Sequence, residues 1–538
     1  MPCPYRNGEH MFKILVSDKL EKEGLDILTA EPGFTVDCKF GIAADELKKI
    51  IKDYDALIVR SGTQVTADVI TAADKLKVIG RAGVGLDNVD LPAATRKGIV
   101  AMNTPAGNTT STAEHTMSLI MALSRNIPQA VESLKKGKWE RSKFTGIELY
   151  GKTLGIIGLG RIGTTVAKMA QGFGMITIGY DPFLSAAIAA KNGIQLVELD
   201  KIYKTADYVT VHIPKTEETT GMIGEKQIAL MKKTARLINC ARGGIIDEKA
   251  LAKALAEKHI AGAALDVYST EPPDFNSPLF KLDNCVTTPH LGASTSEAQV
   301  NVAVEIAQAV RDALLGRGIR NAANFPSLSA EAYKAIEPYL DLAERMGKFA
   351  GQLVQGRVKE VKVTYSGAVT QQNVAPVTMA LAKGLLTPVL GETVNTVNAM
   401  NMVKDRGINI QEIISNQEGE YVNLVSVDVV SDQETFGVWG TLTGNHQPRI
   451  VKINNVYVET TPAGHMLFIN NNDKPGIVGA IGTVLAAAGI NIAGITLGRE
   501  DQQGVAVSVV NVDSQIPEPV LAKLKQTKNI LFAKTIKV

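Results

Sequence analysis

Arg242, Glu271 and His290 are the residues of this 538-residue chain whose types and positions point most directly to chemistry. Each follows a short apolar run. Arg242 comes after Arg236-Leu237-Ile238-Asn239, Glu271 after Leu265-Asp266-Val267, and His290 after Cys285-Val286-Thr287. If those runs are strands of a parallel sheet, all three residues sit in loops beyond the carboxyl ends, where open α/β sheets gather their ligands. An Arg there clamps a carboxylate through paired hydrogen bonds. A His moves a hydroxyl proton, and an acid orients the imidazole and stabilises it once protonated. That set is what oxidation of a hydroxy acid needs. Singly, each is better read as a surface Arg, an ordinary acid or a capping His; together they argue against that reading.

Gly158-Leu159-Gly160-Arg161-Ile162-Gly163 fits the dinucleotide fingerprint GxGxxG. The string alone is weak evidence, but an apolar run (Thr153 to Ile157) precedes it and a helical pattern (Thr164 to Gly172) follows. In that context the first glycine permits the tight turn and the second lets backbone approach a pyrophosphate. The third lets the helix pack on the sheet, and the helix N-terminus offers free N–H groups to the phosphates. Asp181 stands about twenty residues on, where a carboxylate accepts from the adenosine ribose. Pro182-Phe183-Leu184 supply no basic neighbour, so NAD is expected over NADP.

These loops need a frame. Phe12 to Val16, Ala56 to Val59 and Leu76 to Gly80 read as buried strands, with a helical stretch from Ala43 to Ile51. From Gly151 a second series of about six strands alternates with helices, as expected of a doubly wound Rossmann sheet. Thr112 to Ser124 and Thr295 to Leu315 carry long helical patterns, the latter ending at Gly316 and Gly318. Residues 326–462 begin with a helix-like stretch (Ala330 to Val354) and continue in alternating runs that carry no readable chemistry. His465 to Val538 follows β-α-β-β-α-β order, the ferredoxin-like plan.

Length and composition agree with this division. At about 150 residues per domain the chain holds three to four domains. Lys plus Arg number 57 and Asp plus Glu 55, a net charge of +2 that argues against a nucleic-acid or polybasic membrane surface. Hydrophobic residues make up 45% and aromatics only 5%, so aliphatic side chains must fill the cores. Cys3, Cys38, Cys240 and Cys285 show no metal-ligand spacing and are expected as free thiols in a reducing, cytoplasmic setting. No apolar stretch approaches a membrane span, and residues 1–10 read as a short leader without a secretory core.

On the fingerprint, Asn239 to Gly244, Thr270-Glu271-Pro272 and Pro289 to Thr295, the chain resembles the D-isomer-specific 2-hydroxyacid dehydrogenases. Val59 to Thr63, Gly80 to Asp90 and Gly107 to His115 extend the resemblance to the long-form branch acting on 3-phospho-D-glycerate. It covers all but the first ten residues. It implies that Arg242, Glu271 and His290 are catalytic, His290 taking the C2 hydroxyl proton. It implies NAD contacts at Val84, Arg161, Ile162, Asp181, Cys240, Ala241, Arg242, Asp266, His290, Leu291, Gly292 and Ala293, several through backbone. Arg60, Ser61 and Asn108 are expected to hold substrate. Lys39 and Arg141 are candidates for the phosphate, with Trp139 and Arg141 reaching in from a partner subunit of a homo-oligomer (dimer or tetramer). The implied architecture sets an NAD-binding lobe, 106–293, into a substrate lobe of 11–105 and 294–325, followed by an α+β intervening unit, 326–462, and a terminal unit, 463–538.

The terminal unit resembles an ACT domain, on Asn472-Asp473-Lys474-Pro475-Gly476 and Gly489-Ile490-Asn491-Ile492. The resemblance implies an L-serine effector site between paired domains, with Asp473 and Asn491 holding amino and carboxylate groups. Asn471 stands where some relatives carry His or Tyr. A dimerisation module without ligand is the plainer alternative. Glu114 and His115 are expected to satisfy local hydrogen bonds. Two rival functions stay open: a dehydrogenase of glycerate, glyoxylate or lactate, and an NAD-sensing regulator on the same scaffold.

Overall fold

In the computed structural model, which describes residues 11–415, 421–499 and 504–538, the apolar runs become the strands of four sheets. The leader expected over 1–10 and Cys3 lie outside the described residues. The first lobe runs β1 (Phe12–Val16), α1 (Lys22–Thr29), β2 (Phe34–Cys38), α2 (Ala44–Ile50) and β3 (Ala56–Val59). It continues α3 (Ala67–Thr71), β4 (Val78–Arg81), α4 (Leu91–Lys97) and β5 (Val100–Met102). Its sheet has the order β2-β1-β3-β4-β5, all parallel. Every residue of β3 is buried, as a strand covered on both faces requires.

The chain then passes through α5 (Thr109–Ser124) and α6 (Ile127–Lys135) into β6 (Thr153–Ile157), α7 (Arg161–Gly172) and β7 (Ile176–Tyr180). Next come α8 (Ala186–Lys191), β8 (Gln195–Leu196), α9 (Leu199–Thr205), β9 (Tyr208–Val211) and α10 (Glu225–Ala229). The lobe ends with β10 (Arg236–Asn239), α11 (Glu248–Ala256), β11 (Gly262–Leu265) and β12 (Cys285–Thr287). The order is β12-β11-β10-β9-β6-β7-β8, again parallel. The seventh strand, β8, is two residues at an edge. Between β6 and β9 the winding reverses, the switch point where such sheets bind nucleotides.

Helix α5 packs on β10, β11 and β12, whereas α12 (Ser296–Leu314) returns to α1 and β4 of the first lobe. Val302, Ala303, Ile306 and Val310 of α12 enter the core beneath β1 and β3. The chain therefore crosses between lobes twice, before α5 and before α12.

Beyond Gly316 and Gly318, both at positive φ, α13 (Ala330–Leu353) leads into β13 (Val358–Gly367), α14 (Ala375–Leu390) and α15 (Ala399–Asp405). Strands β14 (Asn409–Ser415), β15 (Asn423–Ser431), β16 (Thr435–Thr443), β17 (Gln447–Ile453) and β18 (Val456–Thr460) complete a six-stranded sheet. It is mixed: β13 and β14 are parallel and the remaining pairs antiparallel. The last unit is β19 (His465–Asn472), α16 (Ile477–Ala487), β20 (Ile492–Arg499), β21 (Val505–Val512), α17 (Glu518–Lys525) and β22 (Ile530–Lys537). Its antiparallel order is β20-β21-β19-β22.

The central strands of that last sheet, β19 and β21, are buried on both faces. Leu467 and Ile469 pack under α16 and α17, while Met466 and Phe468 point the other way, as strand alternation demands. Phe468 meets Phe349 of α13 and Phe436 of β16, each with ring centroids 6.3 Å away. The intervening and terminal units thus share one core. Among the described residues no helix is long and apolar enough to cross a membrane.

Candidate active site

The two parallel sheets turn their carboxyl ends toward one cleft. In the first lobe these ends carry Lys39, Asp18, Arg60 and Arg81, taken in strand order β2, β1, β3, β4. In the second they carry His290, Glu271, Arg242, Gly158 and Asp181. An ion pair joins the lobes, Arg242 Nε to Asp87 Oδ2 at 3.1 Å. Arg242 also donates from Nη1 to the Ala241 carbonyl at 2.7 Å. Its loop is fixed by Asn239, which donates to the Arg242 carbonyl (2.9 Å) and accepts from the Ala241 N–H (3.0 Å).

His290 and Glu271 meet as their types suggest. The imidazole Nδ1 lies 2.7 Å from Glu271 Oε2, and Glu271 Oε1 accepts from the Tyr268 N–H at 3.1 Å. A carboxylate has no proton to give, so Nδ1 carries the hydrogen and Nε2 is left to accept one. Both side chains are half-exposed, open to a ligand.

The fingerprint glycines behave as the motif requires. Gly158 has φ 92, and a Cβ there would strike the His212 carbonyl; a Cβ on Gly163 would overlap the Gly158 carbonyl. Around Gly160 the space is open. Asp181 accepts from Leu159 N–H and Phe183 N–H, both at 2.9 Å, which ties the ribose-side carboxylate to the fingerprint turn. Open room over Gly160, the start of α7 and this carboxylate fit NAD. Arg161 is exposed and Ile162 partly so at the same turn.

Other residues expected at the cofactor lie deeper. Cys240 is buried and burial pushes its thiol up to about 12, so only main-chain atoms are offered there. Asp266 is 0% exposed, its carboxylate bonded to Thr288, Leu291, Gly292 and His115. It stands behind the His290 loop. Val84 accepts from Asn103 Nδ2 through its carbonyl at 2.5 Å, Ala241 and Ala293 are partly exposed, and Leu291 is exposed. Cys38 and Cys285 are likewise free thiols.

On the substrate side, Arg60 donates from Nη1 to Gln299 Oε1 of α12 at 3.0 Å, and its N–H donates to Asp18 Oδ2 at 2.6 Å. Ser61 and Lys39 are exposed. Asn108, at the start of α5, keeps a buried Oδ1 without a partner among the described residues. Arg141 lies exposed in the turn after α6, next to Trp139, which is 83% exposed.

Arg81 was not singled out by sequence reasoning. Burial, then repulsion from Arg242, lowers its guanidinium pKa to about 10, with Arg60 adding to the repulsion. Its Nε is buried without a partner among the described residues. Arg81 thus senses two further guanidiniums, against the partial counter-charge of Asp87 and Asp18. The signal was present: Arg81 lies inside the Gly80 to Asp90 motif, as the last residue of β4.

The effector candidates are placed differently from one another. Asn471 is turned inward, accepting from Ser508 Oγ at 3.2 Å and donating to the Asn472 carbonyl at 3.0 Å, so its side chain is not offered to a ligand. Asp473 pairs with Arg499 at 3.3 Å, and Asn491 donates to Asp513 at 2.7 Å. These two sit at opposite ends of β20, about 25 Å apart at the rise of a strand. Within one chain they form no common site.

Residues 117–292 match the model of the D-isomer specific 2-hydroxyacid dehydrogenase NAD binding domain, 335–454 the D-3-phosphoglycerate dehydrogenase intervening domain, and 465–529 the ACT domain. The chain is 45% identical to the D-3-phosphoglycerate dehydrogenase of Methanocaldococcus jannaschii, over 97% of this chain and 98% of that one. It is 44% identical to the D-3-phosphoglycerate dehydrogenase of Synechocystis, over 98% and 95%. A glyoxylate reductase structure from Paecilomyes thermophila superposes with TM-score 0.54 at 27% identity, covering 58% of this chain and 98% of that one. The full-length matches and the three domain matches in order show that the chain belongs to the D-isomer specific 2-hydroxyacid dehydrogenase family, in its D-3-phosphoglycerate dehydrogenase branch.

Proposed function

We propose that the chain catalyses NAD-dependent oxidation of 3-phospho-D-glycerate to 3-phosphohydroxypyruvate, the first step of L-serine synthesis. The supporting observation is the His290–Glu271 pair on the loops beside that of Arg242, since β10, β11 and β12 are neighbours, with Arg81 close to Arg242 and to Arg60. A small apolar hydroxy acid has no need of so much positive charge; a substrate with both carboxylate and phosphate does. Arg242 holds the carboxylate, and His290 Nε2 takes the C2 hydroxyl proton while Glu271 fixes the ring. Bound NAD supplies the hydride acceptor. Arg60 and Arg81, with Ser61, Asn108 and Lys39, receive the phosphate end, and Arg141 joins them from a second copy. The supporting surface is the exposed stripe Ile127, Val131 and Leu134 on α6, continued by Trp139. Such a stripe at helical spacing fits a homo-oligomer interface.

On this reading 106–293 forms the NAD lobe, 11–105 with 294–325 the substrate lobe, and the enzyme works in the cytoplasm. Reduction of NAD with phosphoglycerate, glycerate and D-lactate tests it. Turnover with phosphoglycerate well above the others is expected. Equal rates favour a different hydroxy acid, and NAD binding without any turnover favours a sensor.

Because Asp181 has no basic neighbour, kcat/KM is expected to favour NAD strongly over NADP, and Asp181→Ala to erode the preference. Equal values in the unaltered protein contradict this.

L-serine regulates the enzyme from between two terminal units: within one chain Asp473 and Asn491 lie at opposite ends of β20, so a shared site takes one residue from each copy. A ligand shifts an equilibrium by its differential affinity alone. Serine bound there holds an arrangement that closes poorly, and a coupling of about 1–3 kcal/mol gives roughly 5–150-fold inhibition. The shared core of Phe349, Phe436 and Phe468 makes point substitutions a cleaner test than removal of the unit. Asp473→Ala and Asn491→Ala should each blunt serine inhibition in kinetic assays and leave basal turnover intact. Undiminished inhibition in both variants would falsify the placement.

A further inference from the structure

We propose that His115, which lies outside the reacting set, is a positioning residue that holds the His290 loop through Asp266. The inference rests on His290 being the proton carrier. His290 has φ 55, the left-handed region that a non-glycine residue enters only when its surroundings impose it. The imposing groups are its two successors. Leu291 N–H donates to Asp266 Oδ1 at 2.7 Å and Gly292 N–H to Asp266 Oδ2 at 2.9 Å. Thr288, just before the loop, donates its hydroxyl to Oδ1 at 2.6 Å. One carboxylate therefore fastens both sides of the strained residue.

That carboxylate has no exposed surface, and a buried charge is tolerated only where donors surround it. His115 supplies the remaining donor: its Nε2 lies 3.1 Å from Oδ1 and 3.3 Å from the Thr288 hydroxyl, which has given its own hydrogen to Asp266, so the N–H serves the carboxylate and the Thr288 oxygen together. Burial alone would push the Asp266 carboxyl up; the His115 and Thr288 hydrogen bonds and the Leu291 N–H outweigh it and hold it below the usual carboxylate range. Asp266 is therefore the anion, and His115 Nε2 must carry the proton it shares.

The same helix grips the loop a second time. Ser111 Oγ and Thr112 Oγ1, at the start of α5, donate to the Gly292 carbonyl at 2.8 and 3.1 Å. His115 lies one turn along from Ser111, so both grips come from one end of α5, beside the first crossing between lobes. The placement of His290 is thereby tied to the start of α5.

His115→Phe keeps the ring volume and removes the donor; His115→Gln returns an amide N–H near the position of Nε2. The Phe variant is expected to lose about 10–100-fold in kcat, the scale of a lost hydrogen bond to a charged group, with KM for phosphoglycerate and NAD nearly unchanged. The Gln variant should recover most of that loss. Amide hydrogen exchange at Leu291 and Gly292 reads the same contact without turnover: faster in the Phe variant, restored in the Gln variant. Unchanged exchange, a Gln variant as slow as Phe, or a loss confined to KM overturns the proposal. If the native protein shows no phosphoglycerate turnover but exchange responds as stated, the proposed function fails and the positioning role stands. Should His115→Phe not fold, Thr288→Val removes another donor from the same oxygen, and the same exchange and kcat criteria apply.

Discussion

His290→Ala is expected to cut kcat by about 10²–10⁴-fold while NAD still binds. The expectation follows from how the imidazole is held. Nδ1 is engaged by Glu271 Oε2 at 2.7 Å, which fixes the tautomer and leaves Nε2 as the accepting atom. Among the residues placed in the cleft it is the one histidine aimed outward. His115 faces Asp266, and His212 is buried behind the fingerprint, where burial lowers its pKa to about 4. Neither can substitute as carrier. The fingerprint glycines and Asp181 are untouched by the substitution, so cofactor affinity, read by quenching or calorimetry, should move little. Glu271→Gln keeps a group near Nδ1 but removes the charge that stabilises the protonated ring, so a smaller loss in the same parameter is expected. Near-normal turnover of His290→Ala would remove proton transfer by this residue from the mechanism.

Much of this site was legible because of where strands end. The runs at β3, β6, β9, β10 and β11 are buried on both faces and read as continuous apolar segments, so the loops beyond β10 and β11, with Arg242 and Glu271, could be aligned before any geometry was known; His290 follows the shorter β12, in which Val286 alone is buried. β2 was not legible, because an edge strand with every residue partly exposed or exposed lacks that signal. β5 and β8, three and two residues long, are too short to show a period. The continuous run Met466-Leu467-Phe468-Ile469 already indicated burial on both faces of β19, but not that Phe349 and Phe436 cover the second face. The inward turn of Asn471 was likewise invisible, since it depends on pairing with Ser508 on a neighbouring strand. Arg81 was missed for a related reason: one Arg at the end of a strand is ordinary until Arg242 and Arg60 arrive beside it from elsewhere in the chain.

That cluster makes Arg242 the substitution with the second large consequence. Arg242→Gln is expected to lower kcat/KM by about 2–5 kcal/mol, or roughly 30–5,000-fold, the range for truncating one partner of a desolvated, hydrogen-bonded charge pair. Two terms add. The substrate loses its paired carboxylate clamp, which a Gln amide cannot reproduce with two parallel N–H donors. The lobes also lose their bridge, a smaller term, because Asp87, which Arg242 Nε holds at 3.1 Å, is well exposed to solvent. A third term opposes them. With Arg242 gone, a like charge leaves Arg81, whose depressed pKa should rise toward its ordinary value. Arg81 stays protonated at neutral pH in either case, so it can still attract the anion but has no second guanidinium to set it in register. The loss should therefore appear in both kcat and KM. Arg81→Gln, which removes charge without touching the clamp, should act mainly on KM for phosphoglycerate and little on KM for glycerate. If Arg242→Gln changed KM alone, Arg242 would be a binding group only, and positioning of the C2 carbon against His290 would have to come from another residue.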